Sequence, residues 1–174
     1  MILSPNSEAS LAKMTEIISQ QGTEVDLSAL DGFEGASAIQ SYAANFRRCD
    51  LPPLQVAPPL DLFPNQPRTV PYEPLLRWDV SEPWRHAEQA GVYLAYTEQK
   101  TLIYVGTSQR LAGRLYSYFG GGGSCVLKHS TWPMPPRYLA TVAVPDTHKF
   151  EAPALEAYLI QHLNPPWNSM FRND

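Results

Sequence analysis

Cysteine is nearly absent: Cys49 and Cys125 are the only 2 in 174 residues, and they match no metal-ligand spacing. This excludes a disulfide framework and suits free thiols in a reducing compartment, so a cytoplasmic location is expected. Long apolar runs are missing too. None approaches the roughly 18–20 residues needed to cross a bilayer, and Met1-Ile2-Leu3-Ser4-Pro5 lacks the basic and apolar tract of a secretory signal. No membrane partner is expected. Positive charge is in short supply, with Lys+Arg 13 against Asp+Glu 17 and a net charge of −4, a balance that does not favour a nucleic-acid partner. The deficit is uneven, however. Residues 1–87 carry 6 Lys+Arg against 11 Asp+Glu, giving −5, and residues 88–174 carry 7 against 6, giving +1. The back half can therefore present a basic groove.

What the chain has in excess is proline, 17 residues, about twice the usual share of roughly 5%. Eight of them lie between Leu51 and Pro74. That density cannot hold a helix or a central strand. Residues 51–87 therefore read as an extended arm, either wrapped on a domain or serving as a stiff linker. Ahead of it, residues 1–50 read as a helical region. Leu11, Met14, Ile17 and Ile18 recur at helical spacing between Ser7 and Gly22, and Ala36, Ile39, Tyr42, Ala43 and Phe46 repeat the pattern.

Residues 88–174 change character. Residues 91–97 and 101–106 alternate like strands about a polar turn at 97–100, and 137–144 reads as a third strand stopped by Pro145. Residues 108–119 and 151–163 read as helices, ended by glycines 120–123 and by Asn164-Pro165-Pro166. The expected fold is α+β: a small three-stranded antiparallel sheet flanked by helices, with a helical N-terminal region and a proline-rich arm.

Three features of this half bear on chemistry. If residues 97–100 form a four-residue loop, paired numbers sum to 197 and Tyr93 lies directly opposite Tyr104, so the two phenols project from one face. They are then either a cross-strand aromatic pair or two hydroxyls converging on a site. On the last helix Glu156 falls within the arc of Ala152, Leu155, Leu159 and Leu163. A carboxylate on an apolar face must be paired, protonated or bound to a cation. Arg114 borders the face formed by Leu111, Leu115 and Tyr118. It is either a surface arginine or a planar fork aimed at a phosphate.

Gly91-Val92-Tyr93, Tyr104-Val105-Gly106, Arg114, Glu156 and Asn168, in this order and on these elements, resemble the signature of the GIY-YIG endonucleases. The resemblance covers about residues 90–170. It implies a metal-dependent DNA endonuclease that hydrolyses phosphodiesters with a single divalent cation, Mg²⁺ or Mn²⁺. Glu156 would be the only protein carboxylate on the ion. Tyr93 would take or relay the proton of the attacking water, and Tyr104 would hydrogen-bond the water or the phosphate. Arg114 would neutralise phosphoryl charge, Asn168 would orient the site or its backbone, and Arg114 with the ion would favour phenolate. Gly106, Ser108, Arg110, Tyr118 and His129 are candidate substrate contacts. Tyr118 stands where many members carry histidine, and Thr107 where lysine is common. The alternative is the same fold acting as a nucleic-acid or protein binding module with little or no cleavage.

Overall fold

The structure, a computed structural model, describes residues 25–62, 77–78, 84–119, 125–126 and 136–171. The helix expected over the first twenty residues, the glycine loop at 120–123 and His129 lie outside the described residues. Helix α1 (Ala36–Phe46) follows Gly35, whose left-handed backbone (φ 105°) turns the chain into the helix. Strands β1 (Gln55–Val56), β2 (Leu60–Asp61) and β3 (Arg77–Trp78) come next, then the hairpin of β4 (Gly91–Tyr96) and β5 (Leu102–Ser108). Helix α2 (Leu111–Phe119), β6 (Cys125–Val126), β7 (Tyr138–Ala143) and helix α3 (Glu151–Leu163) complete the chain. The α3 helix ends where expected, with Asn164 in a left-handed cap (φ 46°) donating its N–H to the Ile160 carbonyl. Among the described residues, no helix is long and apolar enough to cross a membrane.

The main sheet is antiparallel, in the order β1-β7-β4-β5, with β2 also paired to β7. Its centre, β7-β4-β5, is the expected three-stranded sheet. The sheet has five strands because the start of the proline-rich segment lies along β7. Pro52, Pro53, Pro58 and Pro59 flank β1 and β2 without interrupting them, so Gln55, Val56, Leu60 and Asp61 remain free to pair. Short edge strands tolerate proline in this way. Strands β3 and β6 form a separate two-stranded sheet.

The hairpin register differs from the expected one. Thr97 donates to the Thr101 carbonyl and Lys100 to that of Thr97, so the loop has three residues, closed by Lys100 in the left-handed region (φ 63°). Tyr96 pairs with Leu102, but Ala95 pairs with Tyr104, so Ile103 is an extra bulged residue. Each irregularity shifts the pairing by one. Together they shift it by two, which restores the original face. Tyr93 therefore lies opposite Gly106, with Tyr104 diagonal to it on the same face.

All six residues of β4 are buried because both faces of the sheet are covered. On one face Val92, Leu94 and Tyr96 join Val105 and Val142 against α1 and α3, through Ile39, Tyr42, Leu155 and Leu159. On the other, Tyr93, Ala95, Ile103 and Leu139 meet Leu111, Leu115 and Tyr118 of α2, together with Trp84 and Leu62. A buried ion pair between Arg47 and Glu151 joins the end of α1 to the start of α3, and Arg47 also donates to the Pro52 carbonyl at 2.7 Å.

Candidate active site

Gly106 explains how the two tyrosines meet. A Cβ built there would overlap Cζ and Oη of Tyr93 and stand 2.9 Å from Cε1 of Tyr104. The Tyr93 ring thus lies over a position that only glycine leaves open. Its centroid is 6.0 Å from that of Tyr104 and 6.1 Å from that of Tyr118. Gly91 has a different role: its Cβ would overlap the Val142 carbonyl oxygen, so glycine lets β7 approach at the start of β4.

Tyr93 is fully enclosed; its hydroxyl lies close to Arg114 and Tyr118 but, among the described residues, makes no hydrogen bond of good geometry. Burial, followed by the neighbouring phenols of Tyr104 and Tyr118, pushes its pKa far above that of an ordinary phenol, with Arg114 acting against them. Tyr104 is half-buried. Burial and Tyr118 push it up to about 12, against the opposing influence of Tyr93 and Arg114. Arg114 favours the charged form of both phenols, as expected, and burial acts against it.

Arg114 leaves the exposed side of α2 with its guanidinium 5.1 Å from the Tyr118 ring centroid. Its charge bears on Tyr93, Tyr104 and Tyr118. It bears also on Glu156, which reaches the same place from α3. The Glu156 carboxyl is half-buried and held above the ordinary glutamate value by that burial, against the Thr107 backbone N–H and Arg114, which favour the charged form. Two elements on opposite faces of the sheet thus bring an arginine and a carboxylate to the free edge of β5.

That edge also accounts for Asn168. Its Oδ1 accepts from Val105 N–H at 2.9 Å and its Nδ2 donates to the Val105 carbonyl at 2.7 Å. The Trp167 N–H reaches the Ile103 carbonyl at 3.0 Å. The Asn168 amide therefore completes the hydrogen bonding of an edge strand and, at 7% exposure, holds β5 from behind. Both Asn168 bonds are to backbone groups of Val105.

Tyr118 is buried within the cluster. Ser108 ends β5 and shapes the turn before α2: its Oγ donates to the Arg110 carbonyl at 2.7 Å and accepts from Arg110 N–H at 3.1 Å. This turn delays the helix start from the expected 108 to Leu111. Arg110 is exposed and forks onto Glu88. Sequence reasoning missed the Thr107 N–H and Glu88. A backbone donor carries no residue signature, and Glu88 lies before the motif.

Among the described residues no three His, Cys, Asp or Glu side chains converge. The donor that the described residues offer is the single carboxylate of Glu156. It suits magnesium, which keeps several waters and takes one or two carboxylates with substrate phosphates. A half-buried carboxylate whose charge is only partly offset by Thr107 and Arg114 is a fitting ligand for such an ion.

Residues 89–169 match the family described as the UvrC-like GIY-YIG domain. The chain is 35% identical over 88 residues to UvrABC system protein C of Colwellia psychrerythraea (strain 34H / ATCC BAA-681), which covers 50% of this chain and 13% of that protein. It is 33% identical over 84 residues to UvrABC system protein C of Pseudomonas fluorescens (strain SBW25), covering 48% of this chain and again 13% of the relative. The chain thus matches only a small part of the length of these curated relatives.

Proposed function

Residues 89–169 of this chain belong to the UvrC-like GIY-YIG family, and on that premise we propose that the protein is an endonuclease hydrolysing DNA phosphodiesters with one Mg²⁺ or Mn²⁺ ion. The observation that carries the proposal is the meeting of Tyr93, Tyr104, Arg114 and Glu156, from a hairpin and two helices, around residues 104–107 of β5. Glu156 would hold the ion, which when bound lowers the pKa of a coordinated water and polarises a phosphoryl oxygen. Arg114, exposed and always charged, would take the phosphoryl oxygens on its planar fork.

The roles of the tyrosines follow from access. Tyr104 is half-buried and would meet the water and the phosphate, taking the water's proton as its own hydroxyl proton passes to solvent. Tyr93, enclosed beneath Tyr118, would brace Tyr104 from within, a change from the proton-relay role that the family signature alone suggests. Asn168 would position β5 through Val105.

Incubation with supercoiled plasmid and Mg²⁺ or Mn²⁺, followed by mapping of the cut ends, tests the proposal. Tyr104→Phe is expected to lose about 10²–10⁴-fold in rate, as removal of a positioned proton-transfer group does, and Tyr93→Phe less. Equal losses in both variants would show that Tyr93 also reaches the reacting atoms. The enclosure of Tyr93 favours a second reading, a DNA-binding module that does not cut. In that case the plasmid stays intact in both ions although duplex is bound.

A further inference from the structure

Resting on the reading of this site as a phosphodiester hydrolase, we propose that Arg110 is a second phosphate-binding position beside the scissile one, and that Glu88 occupies its guanidinium in the free protein until a DNA backbone phosphate displaces it. The pair is bidentate: Arg110 Nε lies 2.8 Å from Glu88 Oε2, and Nη2 donates to Oε1 at 3.0 Å. This is the fork geometry in which arginine takes two phosphate oxygens, so the carboxylate stands in for a phosphate. Both side chains are largely exposed, at 65% and 70%, so a duplex can reach the guanidinium and compete for it.

The two partners are fixed where they stand. Arg110 is held at its backbone by the two Ser108 hydrogen bonds, three residues after Thr107 and four before Arg114. Glu88 rides on a loop tied down at several points. His86 Nδ1 lies 3.1 Å from Thr141 Oγ1, Gln89 donates to the His86 carbonyl, and the Ala87 and Gln89 carbonyls accept the N–H groups of Ala112 and Leu111. Those last two bonds satisfy the first donors of α2, so capping that helix does not require the Glu88 carboxylate.

The charge pattern supports an anionic partner. No Asp or Glu occurs between Glu98 and Asp146, whereas Lys100, Arg110, Arg114, Lys128 and Arg137 do. In the fold other carboxylates also reach this stretch, Asp61 onto Arg137, Glu34 onto the Leu102 N–H and Glu156 onto Thr107, while Glu88 is the one paired with Arg110. An exposed ion pair is weak, and a phosphate that replaces it also releases condensed counterions. The exchange is therefore easy on duplex DNA and sets a threshold against weaker anions.

The test measures binding of the full chain to a labelled duplex of about 20 base pairs, in EDTA, over a range of salt. Wild type is compared with Glu88→Gln, Arg110→Gln and the double variant. Arg110→Gln is expected to reduce the slope of log K against log salt by about 0.9, one phosphate contact. Glu88→Gln is expected to tighten binding about two- to five-fold, the release of an exposed ion pair, and to have no effect when Arg110 is already Gln. An unchanged slope in Arg110→Gln overturns the proposal. So does weaker binding in Glu88→Gln, which would make Glu88 a support for Arg110. Equal tightening in both backgrounds would reduce Glu88 to general repulsion and also overturns it. Plasmid cleavage by wild type is read separately, so loss of the hydrolase reading is distinguishable from loss of this one.

Discussion

At Gly106 the space that a Cβ would fill is occupied by the Tyr93 ring and the edge of Tyr104. Gly106→Ala must push Tyr93 out of place. It is expected to destabilise the fold by about 1–3 kcal/mol, the usual cost of overpacking, and to reduce plasmid cleavage strongly. Gly113 on α2 is the control, since nothing lies within 4 Å of a Cβ there. Gly113→Ala is expected to stabilise by about 0.5–1 kcal/mol through helix propensity alone and to leave cleavage unchanged. Thermal melts and cleavage of the two variants separate the cases. The contrast marks what could be read in sequence at this scale. The glycine–tyrosine pattern was visible, but not which residue faces which. The bulge at Ile103 has no Asn-Gly or comparable marker, and its place depends on the left-handed Lys100 and on how Leu102 and Ile103 divide between the two cores.

The working element is the free edge of β5, whose outward groups at Ile103, Val105 and Thr107 are met by Trp167, Asn168 and Glu156 in turn. Asn168→Ala leaves both backbone groups of Val105 unpaired and is expected to cost about 1–3 kcal/mol, read from denaturant unfolding. Cleavage should fall with the loss of order in β5 while duplex binding persists. Glu156 has the opposite sign. Its folded pKa is raised, so the folded protein holds that proton more tightly than the unfolded chain. The stability it contributes is greatest below the ordinary glutamate value of 4.5 and is lost as pH rises through that value toward the folded one. Glu156→Gln should remove this part of the pH profile and melt no lower than wild type at neutral pH without metal. The element types on this side were legible from periodicity, including the α3 boundaries. The edge contacts were not, because they join backbone groups to residues more than forty positions away.

For the molecule as a whole, residues 25–62 do more than precede the site. They supply two strands of the sheet, α1 and half of the Arg47–Glu151 pair. We propose that they fold as one unit with residues 84–171. A chain shortened to begin at Trp84 would lose β1, β2 and the Arg47–Glu151 pair and would uncover the apolar face of α3. It is expected to show no cooperative melt by circular dichroism. The prolines leave two readings open in sequence, an arm wrapped on a domain or a stiff linker, and the start of that segment pairs with β7. The ion pair has no such sign, because Arg47 and Glu151 lie 104 positions apart. The proposed activity depends on the site that this assembly holds, and a Mn²⁺ titration of plasmid cleavage by wild type and Glu156→Gln tests it most directly. Wild-type cleavage should rise with Mn²⁺ to a plateau, and Glu156→Gln should cut orders of magnitude more slowly at every concentration while still binding duplex in EDTA. Cleavage by the variant at the wild-type rate, or a wild type indifferent to Mn²⁺, would contradict Glu156 as the metal ligand of a nuclease.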